Sequence, residues 1–308
     1  MRQAFVTALS DIARKDKRIF LLTGDLGFRF LEKFRDRFPD RFLNIGVAEA
    51  NLVTVAAGLS TTGYVPFIYS IATFASMRPF EQIRNDIALQ NLNVKIVAIG
   101  AGLAYTKAGP THHSMEDIAL MRTLPNMTIV APADPQETYA AVREIAAHKG
   151  PVYLRLERNP DQSVYDKPPQ FRIGKGYRHR KGSTVALCVT GTKVGLANDV
   201  TARLNAKGIH PSVYSFPTIA PLDTVLLRNI ARAHRIIATI EEHRVSGGFG
   251  TVVLEALHGQ RPVVRFGLID EYTPVSAAYD VLCAYHGFTA RRIASTLLKM
   301  LKGRKRGR

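Results

Sequence analysis

Cysteine is scarce, acidic residues are outnumbered, and long apolar runs are missing from these 308 residues. The only two cysteines, Cys188 and Cys283, each lie in an apolar run, which excludes a disulfide framework and reads as buried thiols in a reducing compartment. The longest apolar stretch is about ten residues around Ile96 to Tyr105, short of the roughly 18 that a bilayer-crossing helix needs. No basic-then-apolar leader opens the sequence either, so the expectation is a soluble, cytoplasmic chain with no membrane partner. Only 25 Asp and Glu stand against 42 Lys and Arg, giving a formal charge of +17. Two local contributors are Phe171 to Lys181 and the terminal Lys302 to Arg308. Such an excess suits polyanions in general, but neither stretch fits a nucleic-acid recognition motif, and nucleic acid is not expected as a partner.

What is present is an ordinary globular composition, 46% apolar and 22% charged, in a chain long enough for two cores. Helical and strand patterns alternate from the start, which predicts a doubly wound α/β fold. Arg2 to Ala13 reads as a helix, and Arg18 to Thr23, Tyr64 to Tyr69, Val94 to Ile99, Met127 to Ala131 and Val152 to Leu156 as buried strands. Helices are predicted at Ala48 to Leu59, Phe80 to Gln90, Met115 to Thr123 and Pro135 to His148, the last with Asp134 as N-cap and Pro135 at its first position. Between Asn159 and Gly182 no period is sustained, so the chain divides into a first domain at 1–160, a basic linker at 161–183 and a second α/β domain at 184–308 with a basic tail. Strands of the second domain are expected at Thr184 to Val189, Ser212 to Phe216, Arg235 to Ile240 and Val263 to Phe266. Its helices are expected near Val194 to Ala206, Leu222 to Ala233, Gly248 to Leu257 and Ala290 to Leu301.

Three segments carry chemistry. In the helix after Asn44, Glu49 shares a face with Leu52, Val53 and Ala56, at spacings of three, four and seven. A carboxyl group on an apolar stripe is suited to share a proton with a basic nitrogen; the plain alternative is a first-turn acid that complements the helix dipole. Thr73 to Val97 places Phe74 just before the stretch Phe80 to Asn85, and Ala108 to Asp134 reads GPTHH, EDIA, R and PNM in order. Together these segments resemble the transketolases and deoxyxylulose-phosphate synthases over nearly the whole chain. The resemblance implies a parallel-sheet pyrimidine-binding domain of thiamine-diphosphate enzymes followed by a smaller transketolase C-terminal-like α/β domain. It further implies that Glu49 meets the aminopyrimidine of thiamine diphosphate and promotes activation of the thiazolium carbon, that Phe74 stacks on the same ring, and that His112 binds substrate.

Weaker matches extend the implied site. Arg158, in Tyr153 to Pro160, and Arg2 fall where the family binds substrate phosphate, and Asp25, in the turn Gly24 to Gly27, where an acidic turn approaches the thiazolium. The glycine-rich segment Glu241 to Gly250 resembles a part of the family's C-terminal domain that lines a subunit interface, so its expected role is structural despite the anion-receiving look of such a turn.

Two departures matter. The sequence has no G-D-G with an Asn roughly 25 to 30 residues on, the family's set for the metal that bridges the two phosphates. A separate subunit carrying the diphosphate-binding domain, and with it Mg2+ or Ca2+, is therefore implied, around a self-associated dimer core in a heterotetramer of two copies of each subunit. In the substrate motif Lys107 and Ala108 replace two acidic residues, and Gly100 stands where the family has a histidine, which implies a changed sugar or sugar-phosphate substrate, an acidic or otherwise modified sugar among the options. The implied activity is transfer of a two-carbon ketol unit. The alternatives are a deoxyxylulose-phosphate-synthase-like condensation, the beta subunit of a 2-oxoacid dehydrogenase decarboxylase component, and a degenerate scaffold subunit.

Overall fold

A computed structural model of the chain describes residues 1–157 and 163–303. The first half contains α1 (Arg2–Ala13), β1 (Ile19–Thr23), α2 (Glu32–Arg37), β2 (Phe42–Asn44), α3 (Glu49–Thr61), β3 (Val65–Ile71), α4 (Ala72–Met77), α5 (Phe80–Gln82), β4 (Lys95–Ile99), α6 (Asp117–Met121), β5 (Thr128–Val130), α7 (Pro135–Ala147) and β6 (Val152–Leu156). The second contains β7 (Tyr177–Arg180), β8 (Val185–Val189), α8 (Val194–Asn205), β9 (Ser212–Ser215), β10 (Thr218–Ala220), α9 (Thr224–Ala233), β11 (Ile236–Arg244), α10 (Phe249–Leu257), β12 (Val263–Leu268), α11 (Tyr279–Tyr285) and α12 (Ala290–Gly303).

Strands β3, β4 and β6 are buried at every position, which is why they read as continuous apolar runs: a parallel sheet covered on both faces leaves no polar side. The first sheet runs β10-β5-β6-β4-β3-β1-β2 and the second β12-β11-β8-β9-β7, parallel throughout except for β10 on β5 and β7 on β9. The doubly wound expectation thus stands, with two antiparallel edges added.

Two local readings are corrected. The helix expected over Phe80 to Gln90 is a short α-turn followed by a π-helix, Ile83–Ala88, whose wider turn lets Ile83, Ile87 and Ala88 share the buried side. The segment expected as a linker is no free tether, since Phe171 is buried in the first core, and Tyr177–Arg180 is an edge strand of the second sheet. β10, a piece of the second half, completes the first sheet by pairing with β5. One apolar cluster accordingly runs from Leu22 and Ile96 into Phe216 and Phe249, so the halves are fused through a common core. Asp134 does cap α7, accepting from the Glu137 amide at 2.8 Å. Among the described residues no helix is long and apolar enough to cross a membrane.

Candidate functional site

In an open parallel sheet the loops after the strands gather at one edge, and ligands bind there. Here the segments after four strands deliver one candidate each: Asp25 in the turn after β1, Glu49 at the start of the helix after β2, Phe74 in the helix after β3 and His112 in the loop after β4. Asp25 has a left-handed backbone, φ 57°, and is exposed. Asn44 fixes it from the end of β2, donating to Asp25 Oδ1 at 3.0 Å while its own Oδ1 accepts from the Asp25 amide at 2.9 Å.

Glu49 is the first residue of α3 and only 4% exposed, held inside by the stripe of Leu52, Val53 and Ala56. Its Oε2 accepts from Arg78 Nη1 at 2.9 Å, whereas its buried Oε1 has no hydrogen-bond partner. The Arg78 guanidinium lies 3.9 Å from the centroid of the Phe74 ring. Phe74 in turn meets the His112 imidazole edge-on at 5.1 Å, and the Tyr105 ring lies 6.0 Å beyond. Three expected residues, Glu49, Phe74 and His112, are therefore joined by contacts, with Arg78 and Tyr105 filling out the chain.

His112 is half-buried, and its Nδ1 is 3.0 Å from Thr111 Oγ1. Its neighbour His113 is buried, and neither ring nitrogen has a partner. Burial pushes the His113 imidazole below its usual range, and His286 adds to the effect. The two histidines thus differ in kind: His112 lies against the Phe74 ring, and His113 faces a cavity of about 570 Å³ with Thr73, Met77 and Glu116. Beside Gly100, φ 77°, the Tyr105 ring takes up the space in which a side chain would stand: a Cβ there would come within 1.9 Å of it. A histidine at this position is excluded unless Tyr105 moves.

Arg2 lies at the start of α1, over the Phe30 ring at 4.1 Å and within reach of the Tyr69 hydroxyl. Arg158 lies outside the described residues. Among the described residues no group of three or more His, Cys, Asp or Glu side chains could hold a metal ion.

Two family descriptions match: the transketolase pyrimidine binding domain over residues 1–160 and the transketolase C-terminal domain over 174–293. A putative transketolase C-terminal section of Methanocaldococcus jannaschii is 35% identical over 308 residues, covering 98% of this chain and 96% of that protein. The 6-deoxy-6-sulfo-D-fructose transketolase subunit SqwH of a Clostridium species is 36% identical, covering 95% and 92%. A solved structure described as a split gene transketolase, inactive beta4 tetramer, superposes with a TM-score of 0.91 at 38% identity over 98% of both chains. The chain belongs to the transketolase family. It corresponds to the C-terminal subunit of split transketolases, a thiamine-diphosphate-dependent class of enzyme subunit.

Sequence reasoning missed two elements of this candidate site. Arg78 gave one usable signal: it stands four residues after Phe74, the spacing that brings helical side chains together. The second is a buried ion cluster beneath the loop that carries His112. Lys193 Nζ lies 2.6 Å from Glu242 and 3.4 Å from Glu157, and Arg155 pairs with Asp117 at 2.9 Å. No local pattern pairs residues so far apart in sequence. In the glycine-rich segment, the amides of Phe249 and Gly250 at the start of α10 donate to Glu241 at 2.5 and 2.7 Å. An internal carboxyl group thus fills the place an anion would take, which accords with the structural role expected for this turn.

Proposed function

We propose that this chain is the cofactor-activating subunit of a split transketolase, moving a two-carbon ketol unit between sugar or sugar-phosphate substrates. The observation that carries the reading is Glu49: a carboxyl group shielded from water, one oxygen paired and the other unmatched, beside an aromatic face and a histidine. A buried acceptor without a partner costs about 1–3 kcal/mol, and a flat ring that presents a nitrogen-bound proton while lying against Phe74 would satisfy it. The residues therefore fit the aminopyrimidine of thiamine diphosphate. When bound, the cofactor supplies the nucleophilic carbon and the electron sink for breaking and forming the carbon–carbon bond.

The chain's own residues then divide the work. Glu49 holds and moves a proton at the pyrimidine nitrogen, Phe74 orients the ring, and Asp25 stands at the thiazolium end. His112 hydrogen-bonds sugar hydroxyls, and Arg158 and Arg2 meet substrate phosphate, where a planar fork suits two oxygens at once. Mg2+ or Ca2+ and the diphosphate are held by the partner subunit, in a cytoplasmic heterotetramer built on a dimer of this chain. Lys107 and Ala108, with Tyr105 in the space beside Gly100, favour a donor more acidic than a common ketose phosphate, and one relative is named for a sulfonated fructose.

The test is reconstitution with the subunit that carries the diphosphate domain, followed by assays with ketose donors, sulfonated and phosphorylated, and an aldehyde acceptor. Ketol transfer that Glu49→Gln abolishes while cofactor stays bound supports the reading. Carbon dioxide release on adding pyruvate would point instead to a synthase-like condensation, and unchanged transfer by Glu49→Gln would reject the role of the carboxyl group.

A further inference from the structure

Arg78 covers the Phe74 face and takes one of the two oxygens of the carboxyl group that an aminopyrimidine would meet, leaving Oε1 unpaired. Its Nη1 donates to Glu49 Oε2 at 2.9 Å, and its guanidinium carbon lies 3.9 Å from the Phe74 centroid. A planar cation at that height fills the stacking slot on its side of a phenyl ring. A heteroaromatic ring stacked there would need the same slot and would turn its hydrogen-bonding edge to the same carboxyl group.

The two members of the pair differ in their freedom to move. The Arg78 side chain is 47% exposed and Glu49 only 3%, so rotation can carry the guanidinium into solvent while the carboxyl group stays where α3 holds it. Arg78 directly follows α4 with a right-handed helical backbone, φ −61° and ψ −47°, so the freedom of its guanidinium lies in the side-chain torsions. It is thus a flat, positively charged and displaceable occupant of a cradle made of one aromatic face and one buried carboxyl group.

We propose that Arg78 is a competing counter-ion of the cofactor site: it holds Glu49 and covers Phe74, and the aminopyrimidine takes both by turning the guanidinium out into solvent. Arg78 has this role only if Glu49 and Phe74 meet the aminopyrimidine. Its effect is to set the threshold for cofactor loading, because each binding event must first break a half-exposed ion pair and a cation–ring contact.

The experiment is a calorimetric titration of the two-subunit complex with thiamine diphosphate in excess Mg2+, comparing the parent chain with Arg78→Met and Arg78→Lys. Methionine keeps the aliphatic stem and removes the competing charge, so the dissociation constant is expected to fall roughly three- to thirtyfold. Lysine keeps the charge without the flat stack and is expected to fall between methionine and the parent. Equal or weaker binding by Arg78→Met overturns the proposal, weaker binding meaning that the guanidinium stays in place and helps to hold the cofactor. A parent complex that binds no thiamine diphosphate overturns the cofactor assignment itself, and this result is distinct because it does not depend on the Arg78 variants.

Discussion

Lys193→Met removes the central cation of the cluster that fastens the two halves of the chain, and its cost can be worked from the contacts. Lys193 is 1% exposed, lies 2.6 Å from Glu242 and 3.4 Å from Glu157, and donates to the Tyr279 hydroxyl at 2.8 Å. Glu157 follows β6 in the first half, and Glu242, on β11 in the second, accepts from the Leu103 amide of the first half at 2.7 Å. Burial works to raise both carboxyl groups. The nearer ammonium outweighs it at Glu242, which falls below the usual carboxylate range, while Glu157 stays above that range. Methionine fills the volume of the stem but leaves two buried carboxyl groups facing each other. Breaking a buried pair from one side costs about 3–5 kcal/mol, and in a chain of this size that lowers the melting temperature by roughly 5–8 °C.

The pH dependence follows from the same charges. Without the ammonium both carboxyl groups are raised above their unfolded values, so the folded state binds protons before the unfolded state does, and stability rises as pH falls towards the unfolded carboxylate range. Denaturant unfolding followed by circular dichroism at pH 7.5 and 5.5 measures both effects. A deficit below about 1 kcal/mol at pH 7.5, or one that grows on acidification, would refute the picture of Lys193 as the clasp.

Glu49→Gln is expected to lower ketol transfer by about 10²–10⁴, the usual reach of a positioned proton carrier, while the melting temperature stays within roughly 2 °C because the partner Arg78 is half exposed; wild-type turnover sinks the assignment. Lys95 is buried, donates to the carbonyls of His148 and Gly150 at 2.8 and 2.7 Å, and is pulled by burial from 10.5 down to about 7. Between those values the unfolded chain holds a proton that the folded chain lacks, so the parent gains up to about 1.4 kcal/mol of stability per pH unit over Lys95→Met as pH rises from 7.5 to 9.5; parallel profiles would contradict this. Asp134→Ala strips the cap from α7 and the acceptor from the Val164 and Tyr165 amides, both at 2.8 Å. The expected loss is roughly 2–4 kcal/mol, with faster hydrogen exchange at those two amides, and unchanged exchange there would count against Asp134 as the anchor of this segment.

The sequence was legible where burial made it regular. Strands β3, β4 and β6 are apolar because both faces are covered, and α7 announces itself through Asp134 and Pro135. Short elements that depend on distant partners carried no such signal. β2 has three residues and no buried position, β7 reads YRHR, and β10 is a strand only because β5 lies beside it. The site divides in the same way. Glu49, Phe74 and His112 stood out as residue types in motifs, and the fold sets Phe74 against His112 and links Glu49 to Phe74 through Arg78. Arg78 offers only its four-residue spacing from Phe74, its place over the ring being a matter of rotamer, and Glu242 on Leu103 joins residues 139 apart and leaves no periodic trace.

That long contact bears on what the second half does for the site. The loop carrying Tyr105 and His112 is closed at its neck, where Gly102 and Ser114 exchange amide–carbonyl bonds of 2.8 and 2.9 Å. The neck is gripped from both halves: Glu242 of the second takes the Leu103 amide, and Arg155 of the first, fixed by Asp117, donates to the Glu242 carbonyl at 2.8 Å and to the Ser114 carbonyl at 3.4 Å. Gly102 is left-handed, φ 65°, and a Cβ there would come within 2.3 Å of Glu242 Oε1, so the approach of the two halves demands glycine at this point. The second half thus holds the base of the His112 loop through the carboxyl group that Lys193 keeps in place. A domain that contributes no reacting group can still decide where one stands, because a buried ion pair that shifts by an ångström moves the loop it anchors.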